Sequence, residues 1–296
     1  TEGNISEVIL NGQETLPCEV VVLAIGHSAR DTYEMLYQRN VELEAKPFAI
    51  GVRIEHPQEL IDKAQYGEYA GAANLAAADY SLVYNDIETK RSAYSFCMCP
   101  GGMVVGATSE ENQVVTNGMS NYQRNSGIAN SAIIVTVNTD DFGGNVLDGI
   151  SFQRKYEKLA FEVGGENYNA PMQTVGDFLN NNVGSTDFLV KPTYLPGVKS
   201  ADLRDCLPKF VTTTIAKALP YFGQKIKGFD APNVVMTGVE TRTSAPVRIV
   251  RNKELVSLNT KGLYPTGEGA GYAGGIMIAA IDGMNVAIKI INKYKM

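Results

Sequence analysis

Only four cysteines and two histidines occur in the 296 residues. So few thiols in a chain this long exclude a disulfide framework and fit a reducing cytoplasm. No Cys/His/Asp cluster stands at ligand spacing, which predicts no structural metal. Basic residues never run beyond two in succession, and the formal net charge is -6 with a pI near 5.1. That balance argues against nucleic acid or an anionic membrane surface as partner. No apolar run approaches the roughly 18 residues of a membrane span. The opening Thr1-Glu2-Gly3-Asn4 has neither the basic start nor the apolar core of a secretory signal. A G-x-S-x-G elbow is missing, so a serine-hydrolase reading has no support.

What remains is ordinary globular material, 44% apolar and 20% charged, long enough for two domains or for one carrying a large insertion. Residue 1 is Thr rather than Met, and a strand-like pattern starts at Ile5. That predicts a chain cut from something longer, or one trimmed by processing.

Ile5–Leu10 followed by Asn11-Gly12 predicts a hairpin. The run Glu19-Val20-Val21-Val22-Leu23-Ala24-Ile25 suits a strand covered on both faces, as in a parallel sheet. Gly26-His27-Ser28 then turns the chain, with Ser28 expected to cap a helix over 31–39. From Pro47 to about Pro246 the texture changes to short strands (48–54, 94–97, 103–107, 133–137) and helices (58–66, 151–163, 174–181, 210–222). Loops rich in Gly and Asn separate them. This reads as an inserted α+β substrate domain over 47–246. Residues 1–46 and 247–296 form the flanking segments.

The tail carries five glycines between Gly267 and Gly275, then a helix expected over 276–293 with a broad apolar face for burial. Glycine permits positive φ and close approach, and before a helix its N–H groups join the positive end of the dipole. Such a turn suits electron-rich oxygens. It could equally serve only to pack helix against strand. It is neither G-x-x-x-x-G-K-[ST] nor a correctly spaced G-x-G-x-x-G.

Residues 262–276, Gly-Leu-Tyr-Pro-Thr-Gly-Glu-Gly-Ala-Gly-Tyr-Ala-Gly-Gly-Ile, resemble the C-terminal flavin motif of the two-dinucleotide-binding-domain flavoproteins. Val22-Leu23-Ala24-Ile25-Gly26 is similar to their central motif. Together with Gly238–Arg248 and Phe96-Cys97-Met98-Cys99-Pro100-Gly101-Gly102, these motifs resemble the bacterial FAD-dependent dehydrogenases often labelled NAD(FAD)-utilizing. The resemblance implies FAD in a partial Rossmann-like domain, α/β in class, that is interrupted by the α+β insertion. It implies an oxidoreductase acting on a small-molecule substrate, with NAD(P) as a candidate electron partner. Glu268 would take the ribityl chain, and the amides of Gly271, Tyr272, Ala273, Gly274, Gly275 and Ile276 the pyrimidine edge. Gly26, Gly267, Arg242 and Thr243 would lie beside the flavin. The family's amino-terminal G-x-G-x-x-G segment is not in this sequence. An upstream segment of the same parent chain is therefore an expected partner, and this chain alone is expected to lack FAD and activity. A non-catalytic binding module that kept the fold is the alternative.

Other residues carry two readings each. Cys97 and Cys99, two apart, would face the same way on a strand. They are catalytic thiols or inert packing. Arg242 and Thr243, in Glu240–Pro246, sit near the flavin or on a solvated crossover. His27 approaches the cofactor or is a loop capping residue. Arg124 meets an anionic substrate or belongs to a polar loop.

Overall fold

The computed structural model describes residues 3–294. Thr1, Glu2, Lys295 and Met296, at the ends of the two expected cofactor segments, lie outside the described residues. In chain order come β1 (Glu7–Leu10), β2 (Glu14–Pro17), β3 (Val21–Leu23), α1 (Arg30–Gln38), β4 (Leu43–Ala45) and β5 (Phe48–Pro57). Next are α2 (Gln58–Tyr66), β6 (Val83–Asp86), β7 (Arg91–Cys99), β8 (Gly102–Gly106), β9 (Thr116–Ser120) and β10 (Ile128–Val137). Then follow α3 (Asp148–Gly164), β11 (Ala170–Thr174), α4 (Val175–Asn180), β12 (Val198–Ser200) and α5 (Lys209–Lys225). The last are β13 (Val235–Glu240), β14 (Val247–Ile249), β15 (Leu263–Pro265) and α6 (Ile276–Tyr294).

Two compact units form. The first takes the residues up to Phe48, 138–152, and those from 242 onward. Stretch 138–152, expected inside the insertion, joins the chain ends because Ile150 enters a core with Tyr33, Leu36, Leu43, Val247 and Leu263. Phe142 and Phe152 also pack their rings on Phe48, at centroid distances of 5.6 and 5.9 Å.

Within this unit β1 and β2 pair antiparallel through Asn11 and Gly12, both at positive φ (51° and 68°). A primed turn requires that backbone. β3 pairs in parallel with β15, Val21 opposite Leu263, and β4 pairs with β14. Three expectations fail here. The apolar run is ladder-paired for only three residues and Val22 is 50% exposed, because β15 is its sole neighbour among the described residues. Ser28 does not cap α1: Ala29 stands at the cap without a side-chain bond, and the Ser28 hydroxyl pairs with His27 Nδ1 at 2.9 Å. Finally, α6 buries only one edge. Val286 packs on Val256 and Tyr264, while Ile276, Met277, Ile281, Met284, Ile288 and Ile291 are exposed.

The second unit, residues 49–137 and 153–241, is built on a seven-stranded sheet of order β12-β11-β13-β5-β10-β7-β6. It is mixed: β11 and β12 run parallel, while β11–β13, β13–β5, β10–β7 and β6–β7 are antiparallel. β5 is buried from Phe48 through His56, as a central strand covered on both faces should be. His56 belongs to this core, its ring 4.4 Å from that of Phe229. Among the described residues no helix is long and apolar enough to cross a membrane.

Glu55 is also buried. Its carboxylate accepts from the hydroxyl and amide of Thr193. Burial outweighs those bonds and pushes the carboxyl from 4.5 up to about 7. Between those values the folded state holds a proton that the unfolded state has released, so stability falls as pH rises. The full effect is about 3 kcal/mol. Glu55→Gln keeps an acceptor for Thr193 and removes the penalty. It should leave stability nearly unchanged at pH 5 and raise it at pH 8, read from denaturant melts. Equal effects at both pH values would contradict this account.

Candidate functional site

In the first unit the glycine-rich turn follows β15 and leads into α6. Gly267, Gly271 and Gly275 have φ of 75°, 81° and 96°, a region closed to most side chains. At Gly269 a Cβ would collide with the backbone of Gly26, so the central and C-terminal motifs of the sequence meet here. The buried Tyr33 fastens them: its hydroxyl donates to the carbonyls of Gly269 (2.8 Å) and Gly26 (3.2 Å). Asp282, in the second turn of α6, holds the entry. It accepts from the Gly267 amide (2.8 Å), the Thr266 hydroxyl (2.9 Å) and Arg251 Nη2 (2.6 Å). Burial works against its charge, yet these donors hold the carboxyl below the usual carboxylate range. Arg251 also lies 3.8 Å over the Tyr272 ring. Neither Asp282 nor Arg251 was expected in the site. Their pairing spans thirty-one residues, and no local signal marks it.

Glu268, expected to take a ribityl chain, is bonded within the turn. One carboxylate oxygen accepts from the Gly275 amide at 2.6 Å, an anion at the positive end of α6. The other lies 3.8 Å from His27 Nε2. The Gly271 amide donates to the Glu268 carbonyl, and that of Tyr272 to Gly267. Of the six amides expected to face a ligand, Gly271, Tyr272 and Gly275 are thus used inside the turn. Those of Ala273, Gly274 and Ile276 carry none of these bonds. Around Gly26, Gly274 and Gly275 an added Cβ would meet nothing within 4 Å, so the space beside the turn is open. Open space flanked by helix-end donors suits the electron-rich edge of a flavin.

His27 is drawn into this cluster rather than left as a cap. Burial lowers its imidazole from the ordinary value; Glu268 pulls it up, and Arg242 and Arg30 push it down. Arg242 and Thr243 are both buried, which removes the solvated-crossover reading.

A separate polar cluster fills the second unit. Arg53, fully buried on β5, donates from Nε and Nη2, one edge of its guanidinium, to the two carboxylate oxygens of Glu240 on β13. Its remaining donors go to Asn117 Oδ1 (2.9 Å), Asn130 Oδ1 (3.2 Å) and the Cys97 carbonyl (2.8 Å). Gly118 makes room: a Cβ there would run into Arg53 and Asn130. Burial pushes the Glu240 carboxyl up to about 7 against the pull of Arg53.

Cys97 and Cys99 do not share a face as plain strand residues would. Phe96 opposes Ala132 and Cys99 opposes Asn130, so β7 carries an extra residue. Cys97 sits at φ 44° within that bulge. Cys97 is exposed and Cys99 buried, with Cys99 Sγ 3.3 Å from the Cys97 carbonyl oxygen. Arg124 stands in an exposed loop at φ 50°.

Comparison with known proteins assigns this mixed α/β chain to a family. The chain belongs to the family described as FAD-dependent protein, C-terminal domain-like, which matches residues 47–243. It is also similar to an uncharacterized protein of Clostridium beijerinckii (strain ATCC 51743 / NCIMB 8052). The two are 53% identical over 294 residues, 99% of this chain and 55% of that protein. The chain therefore spans about half the length of the curated relative it matches. The glycine-rich turn lies outside the family-matched stretch and inside the alignment with the relative.

Proposed function

We propose that this chain is the C-terminal part of an FAD-dependent oxidoreductase, with the flavin ring beside the turn from Gly267 to Gly275. The observation that carries this reading is the turn itself: helix-end amides at Ala273, Gly274 and Ile276 beside open space, in a chain of FAD-dependent family. When bound, the flavin would supply two-electron transfer between a small-molecule substrate and a partner such as NAD(P). The chain's own residues position and polarise. Glu268 fixes the first turn of α6 through Gly275, and Tyr33 locks Gly269 to Gly26. Arg242 and the mostly neutral His27 set the charge around Glu268.

The parallel pair β3–β15, followed by turn and helix, reads as one side of a Rossmann-like sheet. A two-stranded parallel sheet with an exposed isoleucine and methionine face on its helix lacks the cover such sheets have. We assign that cover to a further segment of the same polypeptide, matching the remaining length of the relative. The dehydrogenase activity and the electron partner belong to that longer protein.

Glu268→Ala in the intact protein should weaken FAD retention about tenfold, the worth of one charge-assisted bond near 1.4 kcal/mol. Dialysis against FAD-free buffer followed by absorbance reads it. Unchanged retention would place the flavin elsewhere.

A further inference from the structure

We propose that Cys97 and Cys99 form a dithiol that closes to an intramolecular disulfide by exchange with a low-molecular-weight disulfide. The inference concerns the second unit alone and stands whether or not the flavin reading holds. The two thiols are unequal in the way such a pair needs. The bulge turns Cys97 outward, where a small disulfide reaches it. Cys99 stays behind it, buried, its sulfur held against the Cys97 backbone at 3.3 Å. The Cys99 thiol is bonded to the Cys97 side chain, and that contact and burial push its pKa well above the ordinary thiol range. The Arg53 guanidinium, bonded to the Cys97 carbonyl at 2.8 Å, adds positive charge on the same side.

The exchange balances in two steps. The Cys97 thiolate attacks one sulfur of R–S–S–R, forming Cys97–S–S–R and releasing RS⁻. Cys99 gives its proton to that thiolate and attacks the Cys97 sulfur, forming the Cys97–Cys99 bond and expelling the second RS⁻. The protein loses two electrons and the small disulfide gains them. The remaining thiols are internal controls, since Cys206 is buried and Cys18 lies elsewhere, in the first unit.

The test treats the 296-residue chain with glutathione disulfide and reads intact mass, then peptide mass after alkylation. Wild type should lose about 2 Da, two thiol hydrogens, with the change confined to the peptide holding both residues. Cys99→Ser should stop at a stable glutathione adduct on Cys97, and Cys97→Ser should not react at Cys99. Circular dichroism checks that each variant keeps its fold. A lasting adduct on wild-type Cys97, a bond to Cys18 or Cys206, or no reaction at the pair would each overturn the proposal.

Discussion

Arg53→Met should destabilise the second unit by about 3–5 kcal/mol, because it strands a buried carboxylate. The loss is not one ion pair. Arg53 donates to Glu240, Asn117, Asn130 and the Cys97 carbonyl at once, and a methionine supplies none of these bonds. Glu240 already sits at about 7 through burial; without Arg53 its carboxyl moves higher. The folded variant then holds a proton that the unfolded chain releases, so its stability should recover as pH falls from 8 to 5. Denaturant unfolding at both pH values reads the effect. The double variant Arg53→Met/Glu240→Leu should cost much less than the two single losses added together. A single-variant loss below about 1 kcal/mol would show that the cluster does not hold the sheet.

The second large effect concerns FAD itself. Pyrophosphate and adenosine provide most of the polar contacts that hold the cofactor, and they need a helix N-terminus following G-x-G-x-x-G. On the proposed reading this sequence offers only the flavin end, through Ala273, Gly274 and Ile276. The face that would close over it is open: seven isoleucines and methionines of α6 are exposed. Without walls that exclude water, the remaining contacts are weak. The 296-residue chain should fold, purify colourless and bind FAD orders of magnitude more weakly than the intact protein.

Local chemistry made much of this architecture legible in advance. Asn11-Gly12 specified its turn because both positive-φ demands fall on residues that meet them. Helices 58–66, 174–181 and 276–293 emerge within about two residues, since their apolar spacing and end signals are local. The buried-strand pattern at both ends pointed to the packing of 1–46 with 247–296, but no rule of spacing brings Gly26 to Gly269. What stayed hidden is long-range. Arg53 and Glu240 are 187 residues apart, and nothing near either one marks a buried pair. Ile150 drew 138–152 out of the expected insertion through packing that no local pattern records. Cys97 and Cys99 were read on strand alternation, which a bulge breaks without a glycine or proline to announce it. The apolar face of α6 was visible, but its burial depended on what covers it.

The flavin content of two purified proteins tests the central claim most directly: this 296-residue chain, and the same chain extended to the length of the Clostridium beijerinckii relative. Absorbance near the flavin band against protein concentration should give about one FAD per extended chain and almost none on the shorter one, even after incubation with excess FAD and desalting. Stoichiometric FAD on the 296-residue chain, or an extended protein that takes up none, would contradict the account.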